Sequence, residues 1–246
     1  MLWGVAELAV TLGGVVLLLV VHQLQWTNLQ ARHDARRHVR VLEQQWERAE
    51  GAEEEGGEGE GAEGKSGEGE SGEGKNRAAD GGGGEKGETQ GTASPAPFRG
   101  YAVLRIPRLG VVAPVARGVG KREVLDRGFV GHYPDTAAPG RAGNFAVAGH
   151  RNTHGEPFRR IDRLRKGDEV RIETAQGVYV YEVDQTLAQT TPGDTGVIQP
   201  VPRSLVRPSA GYDRPGRYLT LTTCTPEFSS AYRLVVWGEL AAVRTR

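Results

Sequence analysis

The chain has 246 residues, with 36 Gly but one Cys, one Met and five Phe. A single cysteine excludes an internal disulfide framework and a Cys-cluster metal site. A formal net charge of zero excludes a strongly basic nucleic-acid binder, and no nucleic-acid partner is expected. The zero averages three unlike regions. Residues 1–50 carry five basic and five acidic side chains, residues 51–91 carry four and 12, and residues 92–246 carry 22 and 14.

Residues 1–26 read as a transmembrane anchor. The first 21 positions are almost wholly apolar and end in Val15-Val16-Leu17-Leu18-Leu19-Val20-Val21, with Glu7 as the sole charge. A bilayer core of about 30 Å asks for about 20 such residues in a helix. Trp3 and Trp26 bracket the run as interfacial aromatics do. A cleaved signal peptide fits less well, because no charged leader precedes the run and no small-x-small site follows it. The basic residues Arg32, Arg36, Arg37 and Arg40 follow the run and none precedes it. Taken alone, the positive-inside rule would therefore leave the C-terminal part in the cytoplasm. Residues 27–50 suit a polar helical stalk without a sustained heptad of apolar positions.

Residues 51–97 read as a disordered linker, dominated by Gly and Glu as in the stretch SGEGESGEG at 66–74. Without apolar periodicity such a stretch forms no core. About 50 flexible residues span about 35–42 Å on average, enough for a tether.

Residues 98–246 have an all-β pattern. Apolar runs at 101–106, 111–115, 144–150, 169–174, 178–183, 218–224 and 232–238 alternate with turn signals, and 169–174 and 178–183 flank Ala175-Gln176-Gly177 as a hairpin. Short helices are expected at 123–127 and 157–164. About eight strands in this length argue for a closed barrel or sandwich.

Three residues carry candidate chemistry. Cys224 ends a Thr-rich strand, and its thiolate would be a nucleophile if a cation lowers its pKa. The bland alternative is a buried structural thiol. His150 ends the run Ala148-Gly149-His150. Arg233 lies nine residues beyond Cys224, across a presumed turn, so a hairpin of 218–224 with 232–238 would bring the two together. There an Arg could donate to an oxyanion, a contact worth about 2.7–4 kcal/mol in a transition state. The bland alternative is a surface Arg of little energetic weight. His132 and His154 are expected to be structural or surface residues.

The segments Thr220-Leu221-Thr222-Thr223-Cys224-Thr225-Pro226 and Arg233-Leu234-Val235-Val236-Trp237-Gly238 resemble the active-site end of the sortases. So do Asn144-Phe145-Ala146-Val147-Ala148-Gly149-His150-Arg151, Leu104-Arg105-Ile106-Pro107 and Gly131-His132-Tyr133-Pro134. The Thr-Thr-Cys-Thr-Pro form and the position of Tyr133 are most similar to class E sortases of actinobacteria.

The resemblance implies an eight-stranded sortase-type barrel and a cysteine transpeptidase. By it, Cys224 attacks the Thr–Gly carbonyl of a C-terminal sorting signal, His150 moves the proton, and Arg233 holds substrate and oxyanion. Thr223 and Tyr133 become candidates for substrate contact. The partners implied are surface proteins with a signal of the Leu-Ala-x-Thr-Gly or Leu-Pro-x-Thr-Gly kind, and a peptidoglycan-precursor amine. No cofactor or metal is expected. The family's topology puts the catalytic domain outside a single-pass membrane anchor, against the positive-inside count, and so implies basic residues upstream of Met1. Three alternatives stay open: a pilin-polymerising sortase, an inactive β-domain that binds envelope proteins, and a generic cysteine hydrolase.

Overall fold

The computed structural model describes residues 2–55 and 100–246. Most of the expected linker therefore lies outside the described residues. Its first residues, 51–55, belong to a long helix, α1 (Leu2–Glu55). Among the described residues no helix is long and apolar enough to cross a membrane. Several side chains of the apolar run expected to form the anchor, Val5, Ala6, Leu8, Ala9, Val20 and Val21 among them, lie outside the described residues.

Eight strands close into a barrel in the order β1-β2-β3-β4-β7-β8-β6-β5. They are β1 (Gly100–Ile106), β2 (Val111–Arg117), β3 (Val130–His132), β4 (Gly143–Ala148), β5 (Glu169–Thr174), β6 (Gly177–Thr190), β7 (Arg217–Thr225) and β8 (Tyr232–Thr245). The β2–β3 and β4–β7 pairings are parallel and the others antiparallel. Closure gives every strand a neighbour on each side, although β3 covers only Val115–Arg117 of β2 and Val147–Ala148 of β4. The expected hairpin forms, with Thr174 paired to Gly177 across Ala175 and Gln176. Strand β3 has no counterpart among the expected runs, since three residues are too few to show alternation. The expected helices shrink to 3-10 turns at Leu125–Arg127 and Ile161–Arg163.

Alternation sorts each strand onto two faces. Phe145, Val147, Leu219, Leu221, Leu234 and Val236 point into the barrel, where they are at most 2% exposed. Burying a side chain of this kind is worth about 1.5–3 kcal/mol. The opposite faces of β7 and β8 are also covered. Tyr218, Val235 and Trp237 pack with Leu187, Val197 and Tyr212 beneath the β6–β7 connection. Asp194 organises that connection: it accepts hydrogen bonds from the Thr190 and Ser204 hydroxyls and the Leu205 amide. Burial works against its charge, yet these donors hold its carboxyl below the usual carboxylate range.

Residues 27–47 of α1 belong to the same compact unit as the barrel. Ala31, Ala35, Val39, Leu42 and Trp46 form a buried stripe, recurring every three or four residues. The helix expected as a polar stalk thus carries one buried apolar face. Its apolar face escaped the sequence reading because two of its five positions are alanines. Polar contacts flank the stripe: Asn28 and Arg32 reach Glu156, and Glu43 pairs with Arg105 of β1. The substitution Ala35→Glu would drive a carboxylate into this packed face. It is expected to free the helix, read as faster trypsin cleavage at Arg36, Arg37 and Arg40 with the barrel uncut. Unchanged cleavage would show that the helix does not depend on this stripe.

His132 is structural, as expected. It is 7% exposed on β3, packs on Phe145 and meets the Tyr101 hydroxyl at 2.6 Å through Nδ1. Burial, aided by Arg117, holds it below the ordinary imidazole value of 6.5, although a hydrogen bond to the Ala137 carbonyl opposes this. Above that value both folded and unfolded chains carry the ring neutral, and its full contribution is present. Below it the unfolded chain takes the proton first, so stability falls as the pH drops through the folded pKa. His154 is shifted the same way. Thermal melts across pH about 7 to 5 are therefore expected to fall, with a shallower slope in His132→Gln. An identical slope in the variant would rule this source out.

Candidate active site

The site follows from the register of three adjacent strands. In β4–β7, Ala148 lies opposite Thr222, and the ladder continues with the Gly149 amide donating to the Thr222 carbonyl at 3.1 Å. Cys224 lies two residues further along β7 and His150 two residues beyond the end of β4, so both sit at the same end of these neighbouring strands. In β7–β8, Cys224 lies directly opposite Arg233. That is the hairpin juxtaposition expected from the sequence. Neighbouring strands are about 4.8 Å apart, so the register brings all three side chains to one patch. The patch lies on the face opposite the barrel interior, since Leu219, Leu221, Leu234 and Val236 take the inward positions.

Local packing fixes each residue. Gly149 lets the Phe158 ring close over the backbone before His150; an added Cβ would sit 2.8 Å from Phe158 Cδ2. The Phe158 amide donates to the His150 carbonyl at 3.1 Å. The Thr223 side chain is buried and its hydroxyl donates to the Gly149 carbonyl at 2.8 Å. Thr223 thus ties the nucleophile strand to the histidine strand. Tyr133 is half-buried, with its hydroxyl 3.1 Å from the Thr222 hydroxyl. Arg151 is buried and donates through Nη1 to the Thr225 hydroxyl at 2.9 Å and the Cys224 carbonyl at 3.4 Å, while Nη2 lies 3.4 Å from Asp162. It clamps the end of β7.

Cys224 is a free, half-buried thiol. Arg233 donates through Nη1 to the carbonyls of Ser230 and Tyr232, both at 2.9 Å. Among the described residues, its Nε and Nη2 meet no protein acceptor.

His150 has a partner that the sequence reading missed. Its Nε2 lies 2.7 Å from Oδ1 of Asp126, in the 3-10 turn Leu125–Arg127. A carboxylate only accepts, so Nε2 carries the proton and Nδ1 is the nitrogen left to exchange one. Nothing in the sequence ties Asp126 to a histidine 24 residues away. His154 lies in a loop, as expected, but its place beside His150 has no signal in the sequence. Its ring stacks on His150 with centroids 5.3 Å apart, and its Nδ1 lies 3.7 Å from the same Asp126 oxygen. Burial and the nearby His150 hold it below the usual imidazole pKa, with Asp126 pulling the other way. Asp126, His150 and His154 thus present three potential metal ligands within 4.8 Å of one another, where no histidine cluster was expected.

Known proteins resemble this chain in sequence and fold. Sortase SrtE1 of Streptomyces coelicolor is 39% identical over 99% of this chain, which spans 58% of that relative's length. Sortase SrtE2 of the same organism is 30% identical over 97% of this chain and 81% of its own length. A crystal structure of sortase E1 from Streptomyces coelicolor, with a tripeptide in its active site, superposes with a TM-score of 0.57 at 49% identity. It covers 62% of this chain and 94% of that one. Sortase E from Streptomyces avermitilis gives 0.52 at 44% identity, covering 59% and 90%. The sortase domain model matches residues 104–241, from β1 into β8 and so across the whole barrel with His150, Cys224 and Arg233, and the chain belongs to the sortase family.

Proposed function

We propose that this chain is a membrane-anchored cysteine transpeptidase of the class E kind. The observation that carries the reading is the direct pairing of Cys224 with Arg233, beside a histidine held by an acid. In the first half-reaction the Cys224 thiolate attacks the carbonyl carbon of the Thr in a Thr–Gly bond. The Arg233 donors left without protein acceptors stabilise the oxyanion. His150 gives a proton to the departing Gly amine, and a thioester remains. In the second half-reaction an acceptor amine attacks the thioester, His150 takes its proton, and an amide forms as the thiolate leaves.

Asp126 is a positioning residue in this scheme. It fixes the ring and its tautomer and stabilises the imidazolium. Thr223 serves by alignment, because its hydroxyl proton is committed to Gly149. Tyr133, just after β3, remains a candidate for substrate contact.

The substrates proposed are surface proteins bearing a signal of the Leu-Ala-x-Thr-Gly or Leu-Pro-x-Thr-Gly kind, and the acceptor is a peptidoglycan-precursor amine. The similarity to class E sortases supports this choice. The apolar residues 1–26 support a single-pass anchor, with the catalytic domain on the outer side as in the family.

The full chain in detergent, given a Leu-Ala-x-Thr-Gly peptide and a Gly-based amine, is expected to yield the ligated product by mass. Cys224→Ala is expected to abolish it, and Arg233→Ala to lower kcat by about 10²–10³-fold. Asp126→Asn is expected to lower kcat by about tenfold, with a shifted pH profile and little change in KM. Intact peptide with folded wild-type protein would reject this substrate class. Full activity in Cys224→Ala would reject the nucleophile.

A further inference from the structure

Asp126, His150 and His154 sit closer together than proton transfer alone requires. Two imidazole nitrogens converge on one carboxylate oxygen, Nε2 of His150 at 2.7 Å and Nδ1 of His154 at 3.7 Å. A tetrahedral ion with bonds of 2.0–2.1 Å sets its donors about 3.3–3.4 Å apart. Two of the separations lie either side of that figure and all three ligand atoms fall within 4.8 Å of one another, so a modest movement of the side chains would seat an ion.

The second observation concerns His154. Its Nδ1 is buried without any hydrogen-bond partner. An unmet buried nitrogen costs about 1–3 kcal/mol, and an ion between it and Asp126 would satisfy it. The loop carrying it is held in place. His154 and Glu156 both have positive φ, Gly155 donates its amide to Asn28 and accepts from Arg32 of α1, and Glu156 is gripped by Asn28, Arg32 and Arg159. The nitrogen is thus presented by a built loop rather than a mobile side chain.

We propose that Asp126, His150 and His154 form a binding site for a divalent transition-metal ion of the zinc type, and that its occupation switches off acyl transfer. Two imidazoles and one carboxylate suit zinc, copper or nickel, and not the all-oxygen preferences of calcium and magnesium. Inhibition follows from the proton account. Coordination displaces the proton from Nε2 and ties up that lone pair. The ring then carries its one proton on Nδ1 and does not form the imidazolium that protonates the leaving amine. The site's existence is independent of the transpeptidase reading; its inhibitory effect rests on that reading.

Calorimetric titration of ZnCl₂ into the metal-free full chain tests the site. One ion per chain is expected, and His154→Ala should weaken binding beyond the roughly 10- to 100-fold that loss of an outer-sphere partner costs. Cys224→Ala should bind as wild type, which excludes capture by the thiol. In the peptide ligation assay, zinc should stop wild type and chelator restore it, while the rate of His154→Ala, whatever its basal level, should be the same with and without zinc. Zinc should also raise the melting temperature of wild type but not of His154→Ala or Asp126→Asn, a readout that also checks that both variants fold. No binding, or binding unchanged in His154→Ala, would overturn the site. Zinc-binding protein that ligates equally well with and without the ion would overturn the switch. If wild type binds zinc but ligates nothing in chelator, the transpeptidase reading fails and the site stands.

Discussion

The parallel ladder between β4 and β7, flanked by the antiparallel β7–β8 pair, is the constraint on which the site depends. Strand pairing fixes position along two axes at once, by register and by face. A one-residue slip of β7 would turn Cys224 into the barrel and leave His150 and Arg233 on the outside. The slip is opposed by Leu219 and Leu221, which would leave the core, and by Tyr218, which would leave the cluster under the β6–β7 connection. The reactive patch is therefore held by ordinary hydrophobic burial several residues away from it.

Polar contacts refine what the ladder sets. Thr223 ties β7 to Gly149, Arg151 clamps the end of β7, and Asp126 selects which nitrogen of His150 is free. Helix α1 reaches the same neighbourhood from outside the barrel, through Asn28 and Arg32 on Gly155 and Glu156. A residue one position before Gly155 stacks on His150. Any change in the seating of α1 thus bears on the histidine loop through a short chain of contacts.

Much of the barrel was legible because its strands are long enough to alternate. The runs at 101–106, 169–174 and 218–224 needed only the two-residue period and their turn residues, and the Cys224–Arg233 juxtaposition followed from a hairpin guess. What stayed hidden lacks a local signal. Strand β3 is three residues long, and its place beside β2 and β4 is set by tertiary pairing. The buried face of α1 rests partly on Ala31 and Ala35, which no count of large apolar residues finds. Asp126 and His154 acquire meaning only when two loops meet over His150, and sequence spacing carries no trace of that meeting.

The central claim is that this register makes Cys224 an acylated nucleophile. The direct measurement is mass spectrometry of the full chain, acid-quenched after mixing with a Leu-Ala-x-Thr-Gly peptide and no acceptor amine. The account predicts a thioester on the fragment that contains Cys224, carrying the peptide up to its Thr, which disappears when an amine is added and reappears as ligated product. Folded protein with an unmodified Cys224 and intact peptide would contradict it.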